Sequence, residues 1–188
     1  MQMYRREHYL AKLRPFYDDA GLIKVVTGIR RCGKSSLLCS VMDELRERGV
    51  SEGDICYINL DRREYQDVNT PEKLDAVIEH SLGKSASMRY LFIDEIQNVK
   101  GYETIVNGWR EEGDCSIFIT GSNSYLLSGE LATKLTGRYI ELEMFTLSFN
   151  EYLGMREYLG LPKKPESQVF QEYLIYGGFP KALEYEDL

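Results

Sequence analysis

The sequence predicts an α/β fold, a mostly parallel sheet covered by helices on both faces. Three observations predict it. Strand-like and helix-like segments alternate through about residue 145, the pattern of a layered α/β domain. The first strand-like run, "GLIKVVTG", is short, apolar and rich in β-branched residues, as suits a buried strand. A glycine-rich stretch, "GIRRCGKSS", stands between that run and a long helical segment.

The elements follow in order. "YRREHYLAKLRPFYDD" places Tyr9, Leu10, Leu13, Phe16 and Tyr17 at roughly helical spacing, and Pro15 kinks or ends the helix. After the first strand, "GKSSLLCSVMDELRERG" reads as a helix closed by Gly49. "DICYINL" is a second strand. "TPEKLDAVIEHSLG" is a helix with Thr70 as N-cap, Pro71 at the first helical position and Gly83 at its end. "MRYLFIDEIQ" is a third strand running into acids, "YETIVNGWREEG" a helix, and "CSIFITGSNS" a fourth strand ending in small polar residues. "LLSGELATKLTG" reads as a short helix, "RYIELEMF" as a fifth strand and "LSFNEYLGMREYLG" as a helix. "LPKKPESQ" is a loop or linker, and the final segment carries a Gly-Gly-Phe-Pro break. The expected division is a main domain over 1–160, then 161–188 as linker and start of a helical C-terminal region. The chain stops inside a segment that still reads as helical, which suggests a piece of a longer protein.

Composition narrows the class. The 188 residues are 43% hydrophobic and 28% charged, as in soluble globular domains. No run is long and apolar enough for a transmembrane helix, and the charged N-terminus is no secretory signal, so a cytoplasmic protein is expected. The four cysteines form no CxxC pair and no zinc spacing with His8 or His80. The net charge of -7 is uneven. Residues 1–63 hold 12 Lys and Arg against 9 Asp and Glu, whereas the remainder holds 11 against 21. An acidic chain is a poor direct binder of nucleic acid.

Gly28-Ile29-Arg30-Arg31-Cys32-Gly33-Lys34-Ser35, followed by Ser36, has the form G-x-x-x-x-G-K-[ST]. Glycines permit the torsions and close approach that side chains block. Successive N–H groups then cup phosphates at a helix N-terminus, where the dipole favours anions. Lys34 adds a point charge near the β- and γ-phosphates, and Ser35 offers a hydroxyl to Mg²⁺. Strand before and helix after are the context this motif requires. Cys32 has two readings: a small buried residue, or a thiol activated by the helix dipole and sensitive to oxidation or alkylation. The first is favoured.

Phosphoryl transfer also needs a carboxylate near the metal and a group to activate water. "YLFIDEIQ" supplies both. Asp94 emerges at the C-terminal edge of a core strand, where ligands of open α/β sheets bind, and is assigned to Mg²⁺ through a bound water. Glu95 is assigned as general base. An adjacent Asp-Glu pair favours ATP over GTP, since the D-x-x-G and N-K-x-D motifs of GTPases are lacking. At the end of "IFITGSNS", Thr120, Ser122 and Asn123 are polar, with Ser122 the first choice to touch the γ-phosphate or the attacking water. Ser122 or Ser124 serves equally well as a helix N-cap, and both readings stay open. Arg138, after Gly137 and before a strand, is either a surface residue or an arginine finger acting in its own chain or across an interface.

These pieces resemble the AAA-type P-loop ATPases, and more narrowly a prokaryotic family of ATPases with an N-terminal AAA domain and a C-terminal domain of unknown function. The narrower resemblance rests on "VVTGIRRCGKSSLL", "INLDRREY", "YLFIDEIQNVKGYE", the series "TGSNS…LTGRY…LSFNEYL" and "YLIYGGFPKAL", in the family's order. It implies a three-layer P-loop NTPase fold with sheet order 5-1-4-3-2, ATP and Mg²⁺ as cofactors, and hydrolysis. It carries Gly28, Gly33, Lys34 and Ser35 to phosphate and metal binding, Asp94 and Glu95 to the acidic strand motif, Ser122 to the first sensor position and Arg138 to a Gly-Arg pair. The leading expectation is an Mg²⁺-dependent ATPase driving a conformational change, with a homo-oligomer or protein partner. The alternative is a nucleotide-dependent switch or scaffold with little turnover, DNA-associated only through a further domain.

Overall fold

The computed structural model describes residues 3–82, 87–122, 135 and 137–184. Five strands form one all-parallel sheet: β1 (Ile23–Gly28), β2 (Ile55–Asn59), β3 (Arg89–Asp94), β4 (Cys115–Gly121) and β5 (Tyr139–Met144), in the spatial order β2-β3-β4-β1-β5. This is the expected order read from the opposite edge. Among the described residues six helices accompany it: α1 (Glu7–Leu13), α2 (Lys34–Glu47), α3 (Pro71–Ser81), α4 (Tyr102–Glu112), α5 (Phe149–Tyr158) and α6 (Glu166–Tyr176).

β1, β3 and β4 are buried along their whole length, as parallel strands covered on both faces must be. Period-2 alternation sorts their side chains into two cores. Val26, Tyr90, Phe92 and Phe118 pack with α1 and α2, through Leu10, Leu13, Leu37, Leu38 and Leu45. Val25, Leu91, Ile93, Ile117 and Ile119 pack with α3 and α4, through Leu74, Ile78, Tyr102 and Val106. Phe92 and Phe118 stack with centroids 4.6 Å apart, which adds about 0.5–1.5 kcal/mol to their burial.

The helix boundaries follow local chemistry. Pro15 ends α1 by opening a 3₁₀ turn, Arg14–Phe16. Thr70 caps α3 with Pro71 at its first position. Ser148 caps α5 in a full capping box with Glu151. The short helix expected over "LLSGELATKLTG", apart from Leu135 and Gly137, lies outside the described residues, as do Gly83, Asn123 and Ser124.

A third apolar cluster, Leu147, Tyr152, Val169 and Leu183, joins α5 and α6 to the 3₁₀ turn Pro180–Glu184, with Tyr4 against it. The 160/161 division expected from the sequence passes through this cluster. The Gly-Gly-Phe-Pro break seals it. The Leu147 N–H donates to the Gly178 carbonyl at 2.7 Å, and the Tyr173 hydroxyl donates to the Leu147 carbonyl at 2.9 Å. A Cβ on residue 178 would lie 2.3 Å from the Leu147 oxygen, so only glycine fits. Among the described residues no helix is long and apolar enough to cross a membrane.

Candidate functional site

The glycine loop lies at the C-terminal edge of the sheet, between β1 and α2. Gly28 has φ +149°, and a Cβ there would meet the Met144 carbonyl oxygen at 2.3 Å and Cys32 Sγ at 2.9 Å. The first glycine is therefore demanded by the close pass of β5, before any ligand is considered. Gly33 has φ +108° and stands at the N-cap of α2, where no side chain caps the helix. The first-turn amides of Lys34, Ser35 and Ser36 open the helix, and such amides have no intrahelical acceptor. Ile29, Arg30 and Arg31 are exposed, and Arg31 adopts a left-handed conformation, φ +68°. Cys32 is fully buried. Burial pushes its thiol pKa up, outweighing Lys34 and Arg6 nearby, so the activated-thiol reading is corrected: Cys32 is packing beneath Gly28.

Lys34 is buried, with its ammonium donating to the Gly28 and Ile29 carbonyls at 3.1 and 3.2 Å. It lies 3.9 Å from Glu95 Oε1. The two acids sit where β3 ends. Asp94 is fully buried and accepts from Thr120 Oγ1 on one oxygen. Its other oxygen accepts from the Tyr57 hydroxyl and Asn59 Nδ2, both at 3.0 Å. Asn59 is opposite Asp94 in the β2–β3 register. Thr120 also accepts the Glu95 N–H at 3.0 Å, so one hydroxyl on β4 orients both acids. Glu95 takes φ +60°, and its carboxylate accepts from Gln97 Nε2.

Two cavities flank the loop. One, of about 270 Å³, is polar and lined by Arg30, Lys34, Asp61, Glu95, Gln97 and Ser122. The other, of about 180 Å³, is mainly apolar; Gly33 and Leu37 meet Tyr4, Met155, Tyr158 and Pro180 there. The structure thus brings Lys34, Glu95 and Ser122 into one space, with Asp94 behind it. Asn59, Tyr57 and Gln97 were not singled out from the sequence, and Thr120 was noted there only as a polar residue at the strand end, behind Ser122. The alternation in "ICYIN", which puts Tyr57 and Asn59 on one face, was the available signal. The apolar cavity was missed because its walls come from four distant segments; the "YGGFP" motif was its only trace.

Arg138 is not brought to this site. Its carbonyl accepts from the Ile23 N–H at 2.9 Å, which places it where β1 and β5 begin. Its side chain lies on α4, 3.1 Å from Asn107 Oδ1 and 3.7 Å from Glu111. The strands are parallel, so about 20 Å of sheet separates it from the loop of its own chain. The geometry speaks against action within the same chain; the surface reading fits the exposed side chain on α4, and action on a second copy stays open beside it.

A parallel sheet in this order, a glycine loop opening α2 and paired acids at the end of β3 define an AAA-type P-loop ATPase domain. The chain matches the family AAA_14, an AAA domain, over residues 21–153, and it belongs to that family. An uncharacterized protein of Haemophilus influenzae is 41% identical over 181 residues, 96% of this chain and 45% of the relative. An uncharacterized protein of Methanocaldococcus jannaschii is 32% identical over 171 residues, 88% of this chain and 37% of the relative. The chain therefore spans less than half the length of these relatives. Among solved structures, the Aeropyrum pernix ORC1 protein in complex with DNA aligns with TM-score 0.67 at 15% identity, over 97% of this chain and 58% of that one. AMPPCP-bound DnaA from Aquifex aeolicus aligns with TM-score 0.62 at 17% identity, over 98% and 60%. At such identities the likeness is one of fold.

Proposed function

We propose that the chain binds ATP with Mg²⁺ and hydrolyses it, coupling the reaction to a conformational change. The observation that supports this reading most is the sequence of environments around one loop: an apolar cavity, an uncapped helix N-terminus and a polar cavity holding Lys34 and Glu95. They match the base, the phosphates and the reacting end of a nucleotide in turn. The donors fit a magnesium nucleotide: Ser35 and Asp94 offer hard oxygens, and Mg²⁺ takes one or two protein ligands with phosphates and water completing its shell.

In this reading Ile29 to Ser36 line the phosphates with their backbone, and the Lys34 ammonium exchanges its two loop carbonyls for phosphate oxygens. Ser35 would hold the metal, and Asp94 would hold it through water. When bound, it would supply positive charge to offset that of the phosphates. Glu95 takes the proton of the attacking water, with Gln97 and Thr120 fixing its orientation. Ser122 donates to the γ-phosphate or the water. The base sits against Tyr4, Tyr158 and Pro180. Direct nucleic-acid binding is not part of the proposal, given the net charge of -7. A cytoplasmic location is, and four unpaired cysteines support it.

Phosphate release from ATP and Mg²⁺, measured across a wide range of protein concentration, tests the reading. Glu95→Gln is expected to keep ATP binding and lower turnover about 10²–10⁴-fold, the contribution of a general base. Equal turnover in the variant would sink the assignment. The placement of Arg138 away from its own loop favours a second reading: a nucleotide switch with little turnover until a second copy supplies the arginine. Turnover per molecule that climbs with concentration is the expected sign of it.

A further inference from the structure

We infer that Arg6 is a positioning residue that couples the phosphate loop to α5, so that nucleotide affinity and the placement of α5 are thermodynamically linked. The inference rests on the nucleotide reading above and names a control of that same site.

Arg6 is almost completely buried, and its guanidinium has five N–H donors in a rigid plane. All five are used, and they reach three separate segments. Nε and Nη2 donate to the two Glu151 oxygens at 2.8 and 2.7 Å. Nη1 donates to the Cys32 carbonyl at 3.2 Å and the Phe145 carbonyl at 2.7 Å. Nη2 donates also to the Thr146 carbonyl at 3.1 Å. The Tyr9 ring backs the group, 4.5 Å from the guanidinium carbon, and the Tyr9 hydroxyl accepts the Phe145 N–H.

Two consequences follow from elementary geometry. In a trans peptide the carbonyl and the next N–H point to opposite sides. Holding the Cys32 carbonyl toward Arg6 therefore turns the Gly33 N–H away from it, and sets the direction of the first amide of the cradle. Glu151 is also the capping-box carboxylate of α5, accepting from Ser148 N at 2.9 Å. The first turn of α5 is thus built on the same guanidinium that orients the loop. Burial opposes ionisation of Glu151, but hydrogen bonds from Arg6 and Ser148 hold its pKa below the usual range, so its carboxylate stays charged at neutral pH.

The apolar cavity gives this link a function. Arg6 lines it, with Gly33 and Ser36 from the loop, Met155 and Tyr158 from α5, and Leu159 just beyond α5. A base seated there touches both bodies that Arg6 ties together. Whatever shifts α5 then shifts the loop's affinity, and binding at the loop draws on α5, because such coupling is reciprocal. A lysine cannot replace the fork, since a point ammonium has three donors and no plane.

The test measures ATP affinity and hydrogen exchange for the chain, Arg6→Lys, Glu151→Gln and the double variant, with melts to establish folding. Glutamine also serves in a capping box, so Glu151→Gln keeps the cap and removes the charge from Arg6. Each single change is expected to weaken ATP binding about 10-fold. The double variant is expected to be no weaker than the worse single one. ATP is expected to slow exchange of the amides of residues 149–158 in the parent chain but not in Arg6→Lys at saturating ATP. Additive losses, an unchanged affinity in Glu151→Gln, or the same slowing in Arg6→Lys would each overturn the coupling. If the parent chain itself bound no ATP, the nucleotide reading would fall and the coupling with it; parent binding with additive losses overturns the coupling alone.

Discussion

Two lysines ten positions apart, both buried, occupy opposite edges of the sheet and live under opposite rules. Lys24, near the start of β1, is fully satisfied: its ammonium donates to the Asp19 carbonyl at 2.6 Å, the Leu22 carbonyl at 2.8 Å and Ser116 Oγ at 2.7 Å. Ser116 passes the chain on to the Tyr17 carbonyl at 2.6 Å. This set straps the segment after α1 to the sheet. Lys34, beyond the end of β1, has two longer bonds to loop carbonyls and a carboxylate at 3.9 Å. Beside it, Gln97 Oε1 is buried and has no hydrogen-bond partner among the described residues. Arg31 and Glu95, the two non-glycine residues with positive φ among those described, also stand at this edge. Such conformations cost about 1–3 kcal/mol each. One edge is spent on closing hydrogen bonds; the other keeps strain and loosely held charge, as a site that must exchange partners with a ligand requires.

The sharpest way to break this comparison is to make the same substitution at both ends. Lys34→Met is expected to lower ATP affinity by about 10²-fold or more, the scale for truncating one partner of a buried charge pair, while the melting of the chain barely changes. Equilibrium binding and a denaturant melt on the same sample decide it; a large stability loss with affinity kept would reverse the roles of the two lysines.

Lys24→Met should leave ATP binding nearly intact and change how stability depends on pH. Desolvation lowers the Lys24 pKa to about 8, against about 10.4 in an unfolded chain. Between those values the folded state binds fewer protons than the unfolded one, so the parent chain gains stability as pH rises. The gain over Lys24→Met should reach about 1.4 kcal/mol per pH unit in that window. Parallel pH–stability curves for the two proteins would show that Lys24 titrates normally.

The smallest effect sharpens the comparison by lying outside it. Arg138 is exposed on α4, so Arg138→Ala should change stability by no more than about 0.5 kcal/mol. Turnover in dilute solution should hold, and any rise in turnover with concentration should disappear. A dilute-solution loss would place the arginine in its own chain's site, against the geometry.

How much was legible in the sequence depends on the range of the physics. The Gly-Lys-Ser loop between strand and helix, Asp94 and Glu95 at a strand end, and the Thr70 start were readable because backbone torsion, capping and periodicity act within a few residues. The roles of Cys32, where the buried reading was favoured, and of Arg138 were left open because each depends on what lies across the fold. A thiol at a helix N-terminus is activated only if water reaches it, and Met144 and Gly28 close over this one. An arginine before a strand is near the loop only if the strand runs the other way. Tyr57 and Asn59 needed the β2–β3 register, which no short window contains.

By itself, then, the sequence determined the parallel α/β architecture, its strand order through a family resemblance, and the place of the glycine loop and of the paired acids at one edge of the sheet. The tertiary structure alone decided that Gly28 is required by β5, that Asp94 is held by Tyr57, Asn59 and Thr120, and that Arg6 binds Cys32, Phe145, Thr146 and Glu151 at once. Those partners stand 26 to 145 positions away from Arg6. Contacts of that reach arise only when the register of the sheet and the packing of α1 and α5 have closed the chain on itself.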